Sequence, residues 1–328
     1  MSGRSRCSRI ARPHISTAAR FNAGVIQLQL GRFDAGWSLY ENRPSALATA
    51  AWPQPFWRGE ESIRDKTLFV HCEQGFGDTI QFCRYLLMAE AHGAHVVLSV
   101  DDRLRRLLRS VSPTIRFLSP GEKPERFDLH CPLLSLPRAF ATTIDTIPVR
   151  TRYLSAEADR VARWRERLGE EGFRIGICWQ GNVRNPQDGG RSPPLEMFAP
   201  LGSLPRVRLI SLQKQHGLEQ LATKPAGMTV EELGREFEPD GPDWFLDAAA
   251  VMESLDLVIS SDTAIAHLAG ALGRPTWVAL RHVPEWRWLL EREDSPWYPT
   301  LRLFRQSRRG EWAGVFTAMR ETLLDLRC

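Results

Sequence analysis

The sequence predicts an α/β protein made of two halves, each built on a parallel sheet, that face a common cleft. Apolar runs of strand length alternate with amphipathic helices from Thr67 onward, and the alternation restarts near Arg174. The length of 328 residues exceeds one small core and suits two domains with an extension. In such folds ligands bind at the carboxyl ends of the strands, so the residues that follow each strand are the first candidates for function.

Composition excludes several classes of protein. Apolar residues make up 43% and charged residues 25% of the chain, which is ordinary for a globular protein without a membrane span. The net charge of +4 comes from an arginine-rich start, so the nearly neutral body argues against a large nucleic-acid surface. The six cysteines form no Cys-x-x-Cys pair and the eight histidines show no metal-ligand spacing, which is typical of reduced thiols in a cytoplasmic protein without a metal site.

The first residues form a basic leader. Residues 1–16 are rich in serine and arginine and lack the apolar core of a secretory signal. We expect this leader to be disordered, and a mitochondrial transit peptide is the alternative. A start within a longer repeat array, or a misassigned first codon, also fits so abrupt a beginning.

Residues 17–60 predict a helical hairpin followed by an aromatic linker. Two helical patterns flank Gly31, and their spacing of small and large residues resembles one tetratricopeptide repeat. Since a single repeat is not stable alone, the hairpin must pack on the rest of the chain or on a partner. The apolar positions of the two helices are Phe21, Val25 and Leu28, then Phe33, Trp37 and Tyr40.

The alternating elements define two further domains, at residues 61–170 and 171–328. In the first, strands are predicted at 67–73, 95–100, 115–119 and 127–131, and helices at 78–92, 102–110 and 156–168. In the second, strands are predicted at 174–180, 208–213, 257–262 and 275–280, and helices at 243–256, 263–273 and 312–326.

A Gly-Phe-Gly-Asp turn follows the first predicted strand. Gly75 and Gly77 permit positive φ and let backbone N–H groups face a ligand. Asp78 either caps the next helix through an Asp-x-x-Gln box with Gln81 or takes a proton from an attacking hydroxyl. The two roles are compatible if one carboxylate oxygen stays free. The turn lacks the Lys-Ser/Thr of a phosphate-binding loop and the third glycine of a dinucleotide fingerprint.

A second helix start follows the strand at 257–262. Thr263 and Ala264 open the helix, where unpaired N–H groups and the helix dipole favour an anion, and Ala264 is small enough for a phosphate to approach. His267 lies one turn later on the same face, where a phosphate would raise its pKa. In the alternative reading, Asp262 is only the N-cap and His267 only a packed side chain.

Polar residues follow two more strands of the second half. Gln180, Gly181 and Asn182 come after the strand at 174–180, and the loop that follows carries Arg184 and Arg191. Gln213 and Lys214 come after the strand at 208–213. Each is singly an ordinary loop residue, but all are predicted at the same edge of one sheet, which favours a shared binding site.

Taken together, these stretches resemble glycosyltransferase family 9, the heptosyltransferase-like enzymes with the GT-B fold of two Rossmann-like domains. The resemblance rests on "GFGDTIQFCRYL", "ICWQGN", "SLQK", "SSDTAIAHLAGALGRPTWVAL" and "DSPWYPTLRLFRQ", and it is strongest to a bacterial branch in which this domain follows tetratricopeptide repeats. It implies inverting, metal-independent sugar transfer from a nucleotide-diphosphate-sugar donor to a glycan, lipid-linked or protein acceptor, without a cofactor.

The resemblance also implies roles for residues. Asp78 matches the family's proposed base. The donor and its diphosphate would be bound by Gly75, Gly77, Gln180, Asn182, Arg191, Gln213, Lys214, Asp262, Thr263, Ala264 and His267.

Two other functions remain open from the sequence. The chain is a binding module if it holds a nucleotide-sugar or a protein partner without turnover, the partner docking through the hairpin. It is a nucleotide-sugar epimerase if it converts the donor without an acceptor.

Overall fold

The computed structural model describes residues 16–47, 52–184, 189–237 and 243–327. Apart from Ser16, the expected basic leader lies outside the described residues, as do parts of the linker and of the loop that precedes Arg191. Ser16 accepts a hydrogen bond from the N–H of Ala19 at 3.2 Å and so caps the first helix.

The first half is a parallel four-stranded sheet in the order β3-β2-β1-β4. The central strand β1 is buried along almost its whole length, as expected for an apolar run in a sheet covered on both faces. The strands are β1 (Thr67–His71), β2 (His95–Ser99), β3 (Arg116–Leu118) and β4 (Leu129–Pro132). The helices are α4 (Phe76–Phe82), α5 (Arg84–Ala91), α6 (Asp102–Leu108), α7 (Leu136–Ala139) and α8 (Ala158–Leu168).

The second half is a parallel five-stranded sheet in the order β6-β5-β7-β8-β9. The sequence analysis missed β9, an edge strand whose exposed Arg302 interrupts its apolar run. The strands are β5 (Phe173–Cys178), β6 (Val207–Ser211), β7 (Leu257–Ser261), β8 (Thr276–Leu280) and β9 (Leu301–Arg305). The helices are α9 (Ala199–Gly202), α10 (Trp244–Glu253), α11 (Ala264–Ala271) and α12 (Ala313–Arg327).

Two helices, α1 (Thr17–Gln29) and α2 (Phe33–Tyr40), form a hairpin ahead of the first sheet, and a short helix α3 (Pro44–Leu47) follows. The two helices approach each other through glycine. A Cβ atom on Gly24 would lie 2.7 Å from the backbone nitrogen of Tyr40. The helices of the hairpin are therefore in backbone contact, while its likeness to a tetratricopeptide repeat stays a prediction.

Replacing Gly24 by Ala is expected to lower the free energy of unfolding by about 1–3 kcal/mol, because the methyl group forces the two helix backbones apart. This cost outweighs the helix propensity that Ala gains over Gly, about 1 kcal/mol. Chemical denaturation measures it. Gly189→Ala is the matched control, since a Cβ atom there meets nothing within 4 Å, and equal stability of the two variants would contradict the close approach.

The hairpin packs against both halves. The ring of Phe33 stacks on Trp297 at 6.0 Å, and the ring of Trp37 meets Trp286 edge-on at 5.4 Å. The indole N–H of Trp37 donates to the carbonyl of Thr142 at 2.8 Å, on the side of the first half. The hairpin is thus part of the main hydrophobic core.

A buried ion network fastens the hairpin to the loop after β1. The side chain of Arg43 is fully buried and donates to both carboxylate oxygens of Glu73, at 3.0 and 2.6 Å. It also donates to Glu41 at 3.0 Å and to the hydroxyl of Ser135 at 2.6 Å. Because Glu73 lies two residues before Gly75, the network holds the start of the Gly-Phe-Gly turn.

The linker lies against the first sheet, as its aromatic residues indicate. The ring of Trp52 stacks on Phe69 of β1 at 4.9 Å, and the backbone N–H of Trp57 donates to the carbonyl of His130 at 2.8 Å.

Among the described residues, no helix has both the length and the apolar character that a membrane span needs. The cysteines within the described ranges, Cys72, Cys83, Cys131 and Cys178, are free thiols, and Cys7 and Cys328 lie outside them.

Candidate functional site

A cavity of about 990 Å³ opens where the carboxyl ends of the two sheets face each other. The residues predicted to bind the donor and the predicted base line it, whereas Arg184 does not. This agrees with the rule that ligands bind at the carboxyl ends of parallel strands. The residues that the fold brings together are Gly75, Gly77, Asp78, Gln180, Asn182, Arg191, Gln213, Lys214, Asp262, Thr263, Ala264 and His267. Their roles in binding and catalysis stay predictions.

Asp78 caps its helix from inside. Helix α4 begins at Phe76 with Gly75 as the N-cap, so Asp78 occupies the third helical position. Its Oδ2 accepts a hydrogen bond from the N–H of Gly75 at 2.9 Å. The expected Asp-x-x-Gln box is therefore wrong in its register, because the carboxylate reaches back to Gly75 and Gln81 bonds elsewhere.

Arg287, which is not among the residues predicted from the sequence, binds the other oxygen of Asp78. Its guanidinium forms an ion pair with Oδ1 of Asp78. The Nε–H of Arg287 also donates a hydrogen bond to Oε1 of Gln81 at 2.6 Å, which orients the guanidinium. Arg287 also pairs with Glu285 at 2.5 Å. Burial raises the pKa of Glu285 to about 7, against the opposing effect of Arg287. The sequence could have indicated Glu285 and Arg287 as candidates, since both lie in the loop that follows strand β8.

Neither glycine of the turn has a positive φ, and Gly77 serves close packing instead. Gly75 has φ −73°, and Gly77 lies inside α4, so the expectation of left-handed backbone is wrong for both. A Cβ atom on Gly77 would lie 2.9 Å from Cδ2 of His267 and 3.4 Å from Cα of Ala264. Gly77 therefore lets α4 of the first half touch the start of α11 in the second.

Thr263, rather than Asp262, is the N-cap of α11. Its Oγ1 accepts from the N–H of Ile265 at 3.3 Å and shares a hydrogen bond of 2.9 Å with the hydroxyl of Ser260. The reading of Asp262 as the N-cap is therefore wrong, although Asp262 is buried beside it in the cavity wall. The N-terminus of α11 thus faces the cavity through Thr263 and Ala264.

His267 is a buried imidazole between Tyr298 and Trp288. It is 5% exposed, its Nδ1 lies 2.9 Å from the hydroxyl of Tyr298, and its ring stacks on Trp288 at 5.3 Å. Burial holds its pKa well below the usual value, and the positive charges of Arg287, Arg84 and Arg191 act in the same direction. An anion at the start of α11 would oppose this shift.

The loops after β5 and β6 are held together by Gln213. Its Oε1 accepts from the N–H groups of Trp179 and Gln180, both at 2.9 Å, and its Nε2 donates to the carbonyls of Gln180 and His216, both at 2.8 Å. Its amide is thus fully engaged, which assigns Gln213 a positioning role in the cavity wall. The exposed Asn182 accepts from the N–H of Arg184 at 3.0 Å.

The hairpin supplies part of the cavity wall, which the sequence analysis did not foresee. Phe21, Val25 and Gln29 of α1 and Tyr40 of α2 line it. Gln29 donates to the carbonyl of Pro284 at 2.7 Å, next to the loop that carries Glu285 and Arg287. The hairpin is therefore an integral part of the site.

Comparisons with known proteins agree with this arrangement. Residues 206–280 match the model of glycosyltransferase family 9 (heptosyltransferase). Protein FlbA of Caulobacter vibrioides is 30% identical over an alignment 335 residues long, gaps included, and the alignment covers 92% of this chain and 55% of FlbA. The chain thus spans about half the length of this curated relative.

Two solved structures show the same fold. The E. coli ADP-heptose lps heptosyltransferase II superposes with a TM-score of 0.56 at 13% identity and covers 80% of this chain and 100% of its own. The glycosyl transferase family 9 from Veillonella parvula DSM 2008 has a TM-score of 0.56 at 12% identity and covers 81% of this chain and 97% of its own. The fold of this chain is therefore that of the heptosyltransferases, and the segment that carries α10, β7 and α11 matches glycosyltransferase family 9.

Proposed function

We propose that this chain is a glycosyltransferase that moves a sugar from a nucleotide-diphosphate-sugar donor to an acceptor hydroxyl. The observation that carries the proposal is that Asp78 of α4 and the N-terminus of α11 line one cavity between the two halves. Asp78 is a carboxylate suited to proton transfer, and the N-terminus of α11 is a site suited to an anion. The family 9 match supports the proposal, because it includes α11.

The start of α11 would hold the donor diphosphate. The backbone N–H groups at Thr263 and Ala264, together with the helix dipole, favour a doubly charged group there. Arg191 lines the same cavity and adds positive charge. These groups stabilise the charge on the nucleoside diphosphate as it leaves, so the proposed reaction needs neither a metal ion nor a cofactor.

Asp78 would act on the acceptor. Its carboxylate takes the proton of the acceptor hydroxyl while the oxygen bonds to the anomeric carbon and the bond from that carbon to the diphosphate breaks. A single displacement of this kind inverts the anomeric configuration. Arg287 and the N–H of Gly75 each hold one oxygen of Asp78, which fixes the carboxylate for this attack.

The matching nucleotide-sugar should raise the melting temperature of the purified protein. The panel comprises ADP-, GDP-, UDP-, dTDP- and CMP-linked sugars, with the free nucleotides. A ligand at a hundred times its dissociation constant stabilises a protein by about 2.7 kcal/mol. We expect His267→Ala to weaken this stabilisation, because His267 lies one turn after the start of α11 and lines the same cavity.

His95→Ala is the control, since His95 is an exposed residue at the start of β2. It should keep the full shift. The proposal fails if none of the ligands raises the melting temperature, or if the shift is the same in the wild type and in His267→Ala.

One observation favours a binding module without turnover as the second candidate. Both oxygens of Asp78 are engaged in this structure, by the N–H of Gly75 and by Arg287, so neither is left without a partner to receive the proton of an acceptor hydroxyl. Donor binding without release of nucleoside diphosphate, against water or any acceptor, would favour this candidate. This second candidate includes a protein partner that docks on the hairpin.

We also propose a cytoplasmic location, and the free thiols of the described cysteines agree with it.

A further inference from the structure

Lys214 has a buried side-chain nitrogen for which the described residues offer no hydrogen-bond partner. Lys214 follows strand β6 and is 8% exposed. No group among the described residues accepts a hydrogen bond from its Nζ. The Nζ lies 3.7 Å from the ring centre of Phe237 and 5.4 Å from that of Trp244. Aromatic faces attract a cation but do not replace a hydrogen-bond acceptor.

The surroundings do not neutralise this charge. Burial lowers the pKa of Lys214 to about 7, and the opposing attraction of Asp247 is too weak to prevent it. The carboxylate of Asp247 is itself engaged by Arg160 at 2.9 Å and by the indole N–H of Trp164 at 2.9 Å. An ammonium group kept in such a place is costly unless an anion reaches it.

A second unpaired donor lies beside Lys214. The indole Nε1–H of Trp244 is buried and has no acceptor among the described residues. Arg103 comes from the other half, and its guanidinium lies 4.4 Å from the ring centre of Phe76, which meets the ring of Trp244 edge-on at 6.0 Å. Lys214, Trp244 and Arg103 all line the cavity, but Arg103 is paired with Asp101, so the unpaired donors among the three are Lys214 and Trp244.

This end of the cavity is separate from the start of α11. Lys214 follows the edge strand β6, whereas Thr263 follows β7, and β5 lies between the two. Two strand spacings amount to about 10 Å. A diphosphate bound at the start of α11 therefore does not itself reach the donors at Lys214.

We propose that Lys214 and Trp244 bind a second anionic group, a carboxylate or a phosphate, carried by the donor sugar or by the acceptor. Its separation from the diphosphate rests on the proposed function. The existence of the anion site does not, because it follows from the unpaired donors themselves. The substrate class is thus a nucleotide-sugar with an acidic sugar, or a phosphorylated acceptor.

Lysine NMR tests this inference on the whole chain. The sequence contains four lysines, Lys66, Lys123, Lys214 and Lys224, so ¹³Cε-labelled lysine gives few signals, and Lys214→Arg assigns the one that matters. Inorganic phosphate and glucuronate are the two probes, added separately at tens of millimolar. We expect the Lys214 signal to titrate near pH 7 without a probe and at least about one unit higher with the probe that binds.

The two probes distinguish the sources. A response to glucuronate assigns a carboxylate, and a response to phosphate assigns a phosphate. Lys224 is the internal control, because its Nζ already donates to the carbonyl of Leu221 at 3.0 Å, and its signal should not respond. The charge that acts on Lys214 is that of Asp247 on α10. The other charged groups on the neighbouring elements are Asp243 before α10, Arg160 and Arg163 on α8, Arg103 and Arg106 on α6, and Asp101, which pairs with Arg103.

Trp244→Phe is the matched variant, since it keeps the ring and removes the Nε1–H. We expect this variant to raise the dissociation constant of the bound probe about fivefold, in keeping with the loss of one hydrogen bond to a charged group. A Lys214 signal that responds to neither probe would overturn the inference. Neither a nucleotide nor turnover enters the measurement, so failure of the glycosyltransferase proposal leaves its result interpretable.

Discussion

Replacing Asp78 by Asn is expected to lower the turnover number for sugar transfer by about a thousandfold, because the amide cannot accept the proton of the attacking hydroxyl. Donor affinity should change little, since the diphosphate is proposed to bind at α11. The measurement is the release of nucleoside diphosphate from the donor that the melting panel identifies. Water serves as the acceptor until a better one is known.

Asp34→Asn is the control for this experiment. Asp34 is an exposed carboxylate in the first turn of α2 and does not line the cavity, so its turnover should equal that of the wild type. Wild-type turnover in a folded Asp78→Asn protein would remove Asp78 from the mechanism. A large loss of donor affinity instead of turnover would place Asp78 in the donor site.

The largest effect on stability is expected for Arg43→Met, at about 3–5 kcal/mol of unfolding free energy. The substitution leaves the carboxylates of Glu73 and Glu41 without their cation, and Glu73 is 3% exposed. Denaturation with urea measures the loss. Because the network also holds the turn at Gly75, donor affinity should fall with it.

The exposed ion pair of Lys66 with Glu61 provides the comparison. The two side chains are 35% and 47% exposed, so Lys66→Met should cost less than about 1 kcal/mol. Similar losses for Arg43→Met and Lys66→Met would show that the buried network does not fasten the hairpin.

The parallel strands of the two sheets could be predicted from the sequence because each is a short apolar run that ends at polar or small residues. The same logic brought the candidate residues together, since the ends of parallel strands share an edge. β9 was missed because Arg302 breaks its apolar run.

The details of the site could not be predicted, because they depend on contacts between distant segments. Gly77 is needed by its contact with His267, which lies in the other half of the chain. Arg287 reaches Asp78 in the same way, from the loop after β8. Local capping rules placed Asp78 near a helix start but gave the wrong register, since both Gly75 and Asp78 are compatible with an N-cap.

The hairpin shows the same division. Its helices could be predicted from the spacing of Phe33, Trp37 and Tyr40, and the hairpin packs on the rest of the chain, as expected for a helix pair that is not stable alone. Its place in the cavity wall was not readable, because it depends on Trp286 and Trp297 in the second half. The unpaired state of Lys214 likewise emerges only from the packed structure.

A crystal structure with the nucleoside diphosphate that the melting panel selects tests the central claim most directly. The account predicts that the diphosphate oxygens lie within hydrogen-bonding distance of the backbone N–H groups at the start of α11, next to Thr263 and Ala264. The sugar side of the diphosphate should then face Asp78. A nucleotide bound outside the cavity, or inside it with its diphosphate away from α11, would contradict the account.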